Sequence, residues 1–151
     1  GAKLLYPGTD IIQHDGIINL KEGPAHILCK AHDSKNYYYG RNRVEYNYSS
    51  VTAACMMVEK KIYTQLGGFN NDVDICLKAV EKGYYNVVRN DVCLYHHESV
   101  SRGLDIEQDK KNRLMKEKEK LYMSHTALYV NDPFYNINLS NQDGDFSLNI
   151  S

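Results

Sequence analysis

One segment restricts the fold more than any other. After Asp72, the residues Val73, Cys76, Leu77 and Val80 recur at i, i+3, i+4 and i+7, and Gly83 follows as a left-handed stop. That spacing places four apolar side chains on one stripe of a helix, so the fold must supply an apolar surface for the stripe to cover. Strand-like runs supply it. Leu4 to Tyr6 and Ile11 to Ile18 flank Pro7-Gly8-Thr9-Asp10, a tight-turn sequence, and read as a hairpin. Val51 to Val58 is a nearly continuous apolar run and reads as a buried strand entering a short helix at Glu59-Lys60-Lys61, which Gly67-Gly68 ends. Tyr85 to Val88 and Val92 to Tyr95 read as two strands divided by Arg89-Asn90-Asp91. Glu107 to Tyr122, rich in Lys, Glu and Leu and free of Gly and Pro, predicts a second, more exposed helix whose run Lys116 to Lys120 is a solvated face. Lys21 to Arg43 reads as a long surface excursion, and the Asn- and Ser-rich stretch from Asn131 to Ser151 as a surface tail.

The chain of 151 residues suits one domain, 1–151, with a substantial core. A net charge of -1 gives no general attraction to polyanions, so no nucleic acid is expected as a partner. No apolar run approaches the roughly 20 residues that span a bilayer, and no signal-peptide pattern is present. Cys29, Cys55, Cys76 and Cys93 never form a CxxC pair, which excludes a zinc ribbon or a thioredoxin-like site and points to a reducing compartment. Three of them, Cys55, Cys76 and Cys93, have apolar neighbours and are expected to pack as small hydrophobes. Thirteen Tyr and no Trp suggest either a sugar-stacking surface or packed and half-exposed strand tyrosines, with the second preferred. The start at Gly1, with a strand almost at once, leads us to expect a fragment of a longer protein.

Two clusters carry chemistry. Leu94 to Gly103 gathers His96, His97, Glu98, Ser99, Ser101 and Arg102 behind a short strand signal, and these donors suit a divalent metal and a phosphate. The plain alternative is a polar strand end in water. A compact site built on His96, His97 and Glu98 alone is disfavoured, because adjacent strand side chains point to opposite faces. The second cluster, Asn71-Asp72-Val73-Asp74, opens the amphipathic helix, where backbone amides favour ionised carboxylates. Capping accounts for at least one of the two acids and catalysis competes for the other. Two helical residues separated by one do not share a face, so their roles can differ. The D-x-D they spell follows a loop rather than an apolar strand, and is not read as a metal-binding pair.

The order of several blocks resembles the acceptor half of bacterial family 2 glycosyltransferases across nearly the whole chain. They are Ala2-Lys3-Leu4-Leu5-Tyr6-Pro7, Ile12-Gln13-His14-Asp15-Gly16, Val51-Thr52-Ala53-Ala54-Cys55, Leu66-Gly67-Gly68-Phe69, Asn71 to Leu77, Leu94 to Ser99 and Asn131-Asp132-Pro133-Phe134-Tyr135-Asn136. The resemblance implies an α/β fold, a partial GT-A, Rossmann-like one: a mixed sheet flanked by helices, without the nucleotide-binding N-terminal half. It implies Asp72 as catalytic base, since Asn71-Asp72 matches the family's Asp that follows Glu or Asn at a helix start. Asp74, Gly67, Gly68 and Phe69 become acceptor or positioning residues, His96 the metal contact, and Ser99, Ser101 and Arg102 the diphosphate side. The expected chemistry is inverting transfer from a nucleotide-sugar to a glycan or other hydroxyl acceptor, with Mg²⁺ or Mn²⁺, in cell-surface polysaccharide synthesis. A cytoplasmic protein, peripheral at the inner membrane face, follows from the family's use of cytosolic nucleotide sugars.

The chain departs from the family in two ways. Only Asn70 lies between Phe69 and Asn71, where the family has several more residues, so either the acceptor loop is short or a segment is missing from the sequence, with the second preferred. Without the nucleotide half, the chain alone is expected to be inactive. The competing class is a non-catalytic module that binds a glycan, a protein or a second copy of itself through sheet edges left bare.

Overall fold

A computed structural model of the chain describes residues 1–97 and 107–149. Four strands form a mixed sheet in the order β2 (Ile12–His14), β1 (Ala2–Leu5), β6 (Asn86–Tyr95), β5 (Tyr46–Tyr48). β1 runs antiparallel to β2 and parallel to β6, and β5 is antiparallel to β6. A separate hairpin pairs β3 (Ile17–Leu20) with β4 (Gly23–His26). The helices are α1 (Lys60–Gln65), α2 (Asp72–Glu81), α3 (Glu107–Ser124) and α4 (Thr126–Val130). This mixed α/β architecture agrees with the expected class. Among the described residues no helix is long and apolar enough to cross a membrane.

β1 lies between two neighbours and all four of its residues are buried, Lys3 included. The Lys3 ammonium is compensated by Asp33 Oδ1 at 2.8 Å and by the carbonyl of Asn42 at 2.6 Å. Around β1 the main core gathers Leu5, Ile12, Ile18, Ile27, Tyr48, Val51 and Val88.

α2 is buried on more than one stripe. Ile75, Cys76 and Ala79 enter the main core, while Val73 and Leu77 pack in a second cluster with Leu121 of α3 and Leu128 and Tyr129 of α4. Val80, assigned to the apolar stripe above, is only half-buried. A helix covered from two sides escapes a one-stripe reading, since its apolar residues are no longer confined to one arc.

Several expectations are corrected. The run from Val51 is not a buried strand: it turns through a short 3₁₀ segment at Ala53–Cys55, with the Thr52 hydroxyl accepting from Ala54 N, and Met57 and Val58 are exposed. The two strands expected around Arg89–Asp91 are one strand with a bulge, where the partners jump from Ala2 with Arg89 to Lys3 with Cys93. Asn90 holds that bulge by donating to the carbonyls of Arg41 and Val44. The excursion 21–43 contains β4, and it buries Ile27, Leu28, Arg41 and Asn42. The tail also packs inward, with Leu139 and Phe146 in the core and Asp132 buried. All four cysteines are free, and of the three expected to pack only Cys76 is buried; Cys55 is half-buried and Cys93 exposed.

Candidate functional site

Asn71, not an aspartate, caps α2. Its side chain accepts from Asp74 N at 2.8 Å, its own backbone being extended as a cap requires. Asp72 is thereby released from capping. Its Oδ2 accepts from Ala53 N at 3.2 Å and its Oδ1 from Val73 N at 3.1 Å. Each carboxylate oxygen keeps accepting capacity beyond one amide bond, and the group is half-exposed at the positive end of a ten-residue helix.

Asp74 is used differently. Its Oδ2 takes Lys78 Nζ at 2.6 Å and Asn70 Nδ2 at 3.2 Å, while its Oδ1 faces His125 Nε2 at 3.3 Å. Burial opposes the ionised form of Asp74, but Lys78, His125 and Asn70 outweigh it and hold the carboxyl below its usual range. The other nitrogen of buried His125 meets Glu81 Oε1 at 2.7 Å. Asp74 therefore ties the start of α2 to the junction of α3 and α4. His125→Ala would strand part of this buried network, and we expect a loss of about 2 kcal/mol in urea unfolding. An unchanged midpoint would remove His125 from that role.

The loop that meets Asp72 is held from below. Thr52 N donates to His14 Nε2 at 3.4 Å, and His14 Nδ1 lies 3.0 Å from His26 Nδ1. Burial, with His26 adding to it, holds the His14 imidazole well below its usual pKa, so it stays neutral. With Nε2 accepting from Thr52, the proton sits on Nδ1 and is donated to His26. Neighbouring Gln13 reaches His96 at the end of β6, with Gln13 Oε1 2.8 Å from His96 Nδ1. A carbonyl oxygen there calls for a proton on His96 Nδ1, which leaves Nε2 as a lone-pair donor. Gln13 Nε2 is buried without a partner.

The next residue of the same block, Asp15, is fully buried and neither carboxyl oxygen accepts a hydrogen bond. Burial pushes its pKa up to about 7, against the pull of Lys3. A carboxyl that holds its proton more tightly when folded contributes its full stability below about pH 4 and loses it as pH rises through about 7. His14 acts in the opposite sense, since a lowered imidazole pKa costs stability as pH falls below its ordinary value of about 6.5. The readout is therefore a difference. The stability of Asp15→Asn minus that of the parent chain is expected to rise from pH 4 to pH 7, by an amount of order 4 kcal/mol, and then to level off. A flat difference would show that Asp15 is ionised without cost.

The structure thus brings Asp72, the Thr52-Ala53 loop and His14 into one hydrogen-bonded run, while His96 meets Gln13, the neighbour of His14 on β2, whose side chain points to the other face of the strand. Gly67 and Gly68 end α1 by donating to the carbonyls of Thr64 and Tyr63, and Phe69 beside them is exposed. Glu98, Ser99, Ser101 and Arg102 lie outside the described residues. Gln13, His14, Thr52, Ala53 and His125 had no role assigned from sequence. The available signal was three polar residues, Gln13-His14-Asp15, inside a strand-like apolar run. Among the described residues no group of three or more His, Cys, Asp or Glu gathers as for a metal ion. His96 offers one ligand, not a closed site.

No protein-family model matches the chain, and no solved structure does. The sequence is 36% identical to the uncharacterised protein y4gI of Sinorhizobium fredii over 159 residues, which cover 98% of this chain and 17% of that protein. It is 32% identical to the O-antigen biosynthesis protein RfbC of Myxococcus xanthus over 115 residues, covering 70% of this chain and 9% of that protein. The chain spans less than a fifth of the length of either relative.

Proposed function

We propose that this chain is the acceptor-binding half of a GT-A glycosyltransferase of family 2, and that the protein carrying it transfers a sugar from a nucleotide-sugar to a hydroxyl of a growing polysaccharide. The observation that carries this reading is the state of Asp72: relieved of capping by Asn71, oriented by two backbone amides, and half-exposed at a helix start. The name of the Myxococcus xanthus relative, an O-antigen biosynthesis protein, supports a role in polysaccharide assembly.

In this reading Asp72 takes the proton of the acceptor hydroxyl while that oxygen bonds to the anomeric carbon, and the nucleoside diphosphate leaves from the opposite face with inversion. The amides of Ala53 and Val73 fix the carboxylate's direction, so that positioning supplies much of the rate. His14, by holding Thr52, anchors one end of the loop that carries the Ala53 amide. A bound Mg²⁺ or Mn²⁺ supplies neutralisation of the charge that grows on the diphosphate. His96 Nε2 fits as one of its ligands, and Ser99, Ser101 and Arg102 are assigned to the diphosphate.

Calorimetric titration of the intact protein with uridine diphosphate, with and without Mn²⁺, tests this arrangement. Binding should need the metal and weaken at least about tenfold in His96→Ala. Equal metal-dependent binding in the variant would take His96 out of the donor site.

A further inference from the structure

An open cleft of about 700 Å³ lies between β5 and the 133–136 loop, and neither Asp72 and its partners nor Gln13 and His96 line it. Its volume falls within the range of about 300–1,000 Å³ typical of small-molecule sites. Tyr46, Phe134 and Tyr135 give it aromatic walls, and Asn47 and Asn136 stand among them.

Arg41 completes the lining, and it is only 6% exposed. Its guanidinium carbon sits 3.7 Å from the centre of the Tyr46 ring, 4.9 Å from that of Tyr48 and 5.0 Å from that of Phe146. Nε donates to Tyr48 Oη at 3.0 Å and Nη2 to the Phe134 carbonyl at 3.2 Å. A guanidinium has five N–H groups, so three stay unspent. No carboxylate among the described residues pairs with it: Glu45, the acid of the cleft, is paired with Arg89. The buried acids near Arg41, Asp15 and Asp132, do not reach it for an ion pair, and Asp132 is bonded instead to Asn19 N, Ser49 Oγ and Phe134 N. A buried cation held by ring faces and two neutral acceptors leaves a charge to be met.

The geometry points to this cleft as a binding subsite for a saccharide that bears a carboxylate. The carboxylate takes the unspent N–H fork of Arg41, a pairing whose planar match favours Arg over Lys. The sugar ring lies against an aromatic wall, and its hydroxyls meet the side-chain amides of Asn47 and Asn136. The choice of a saccharide over other carboxylates rests on the proposed function. The subsite would hold a stretch of acidic glycan away from Asp72 and raise its local concentration there.

The test is an amide-shift titration of the ¹⁵N-labelled 151-residue chain with methyl β-D-glucuronide, methyl β-D-glucoside and acetate. Saturable shifts centred on Tyr46, Asn47 and Asn136 are expected with the glucuronide, at least about tenfold tighter than with either control. Arg41→Lys should erase the preference over the glucoside. Should that variant fail to fold, Tyr46→Leu, at a ring that is 41% exposed, decides by weakening the glucuronide at least about fivefold. No saturable shifts, equal affinity for glucuronide and glucoside, acetate binding as well as glucuronide, or Tyr46→Leu without effect would each overturn the subsite. The transferase reading fails separately, through Asp72, because binding at the cleft needs no turnover.

Discussion

Asp72→Asn in the intact protein is expected to lower sugar transfer by about a thousandfold while leaving nucleotide-sugar affinity within about twofold. The substitution is nearly isosteric, and its amide oxygen still accepts from one of the two backbone amides that hold the carboxylate. Asn71 keeps α2 capped, so a folding defect does not accompany the loss. What disappears is the group that takes the proton. The reading is made by following release of nucleoside diphosphate that depends on acceptor, alongside a binding titration with the nucleotide. Turnover retained within a few-fold would remove Asp72 from the base role. A parallel loss of binding would mean that the residue supports the donor instead.

The largest expected effect on stability is at Gly16. Its φ is +119°, a backbone conformation that L side chains rarely adopt, and the Tyr48 ring lies where a side chain would go. A Cβ would stand 2.6 Å from Cγ and 2.7 Å from Cε2 of that ring, and closer still to Cδ2. Tyr48 has nowhere to retreat: it is fully buried, and its hydroxyl accepts from Arg41. Gly16→Ala should therefore cost roughly 3 to 5 kcal/mol, backbone strain and overpacking together. Gly8→Ala is the control, because its φ of +69° is also left-handed but nothing lies within 4 Å; about 1 kcal/mol is expected there. Comparable losses at the two positions in urea unfolding would show that the ring moves aside and that strain alone is being measured.

The parts of the fold legible in the sequence are those set by neighbours in sequence. α2 was readable from its apolar spacing and from the polar residues before it, and α1 from the pair Gly67-Gly68 behind it. The parts missed depend on distant partners. An apolar run such as Ala53 to Val58 has no local sign that Thr52 will turn the chain out to solvent. Arg41 and Asn42 looked like loop residues because partners that bury them, Phe134 and Asn90 for Arg41 and Lys3 for Asn42, lie 93, 49 and 39 residues away. The site divides the same way. The carboxylates at the helix start and the imidazoles at the strand end stood out, and the resemblance picked Asp72 and His96 from among them. The support beneath them did not, since His14 meets Thr52 38 residues away and Gln13 meets His96 83 residues away. Asp74 shared the D-x-D with Asp72, and its partners Asn70, Lys78 and His125, the last 51 residues on, separate their roles.

Packing of α2 between two apolar clusters divides the surroundings of Asp72 into a stiff half and a yielding half. The helix that bears the carboxylate is clamped from both sides, so its amides should be among the last in the chain to exchange with deuterium. The amide facing it comes from Ala53, in an exposed 3₁₀ turn whose following residues Met57 and Val58 are bare to solvent. Amides there should exchange early. Small displacements in this region would then be taken up by the turn and not by the helix, which keeps its heading while the rim around it breathes.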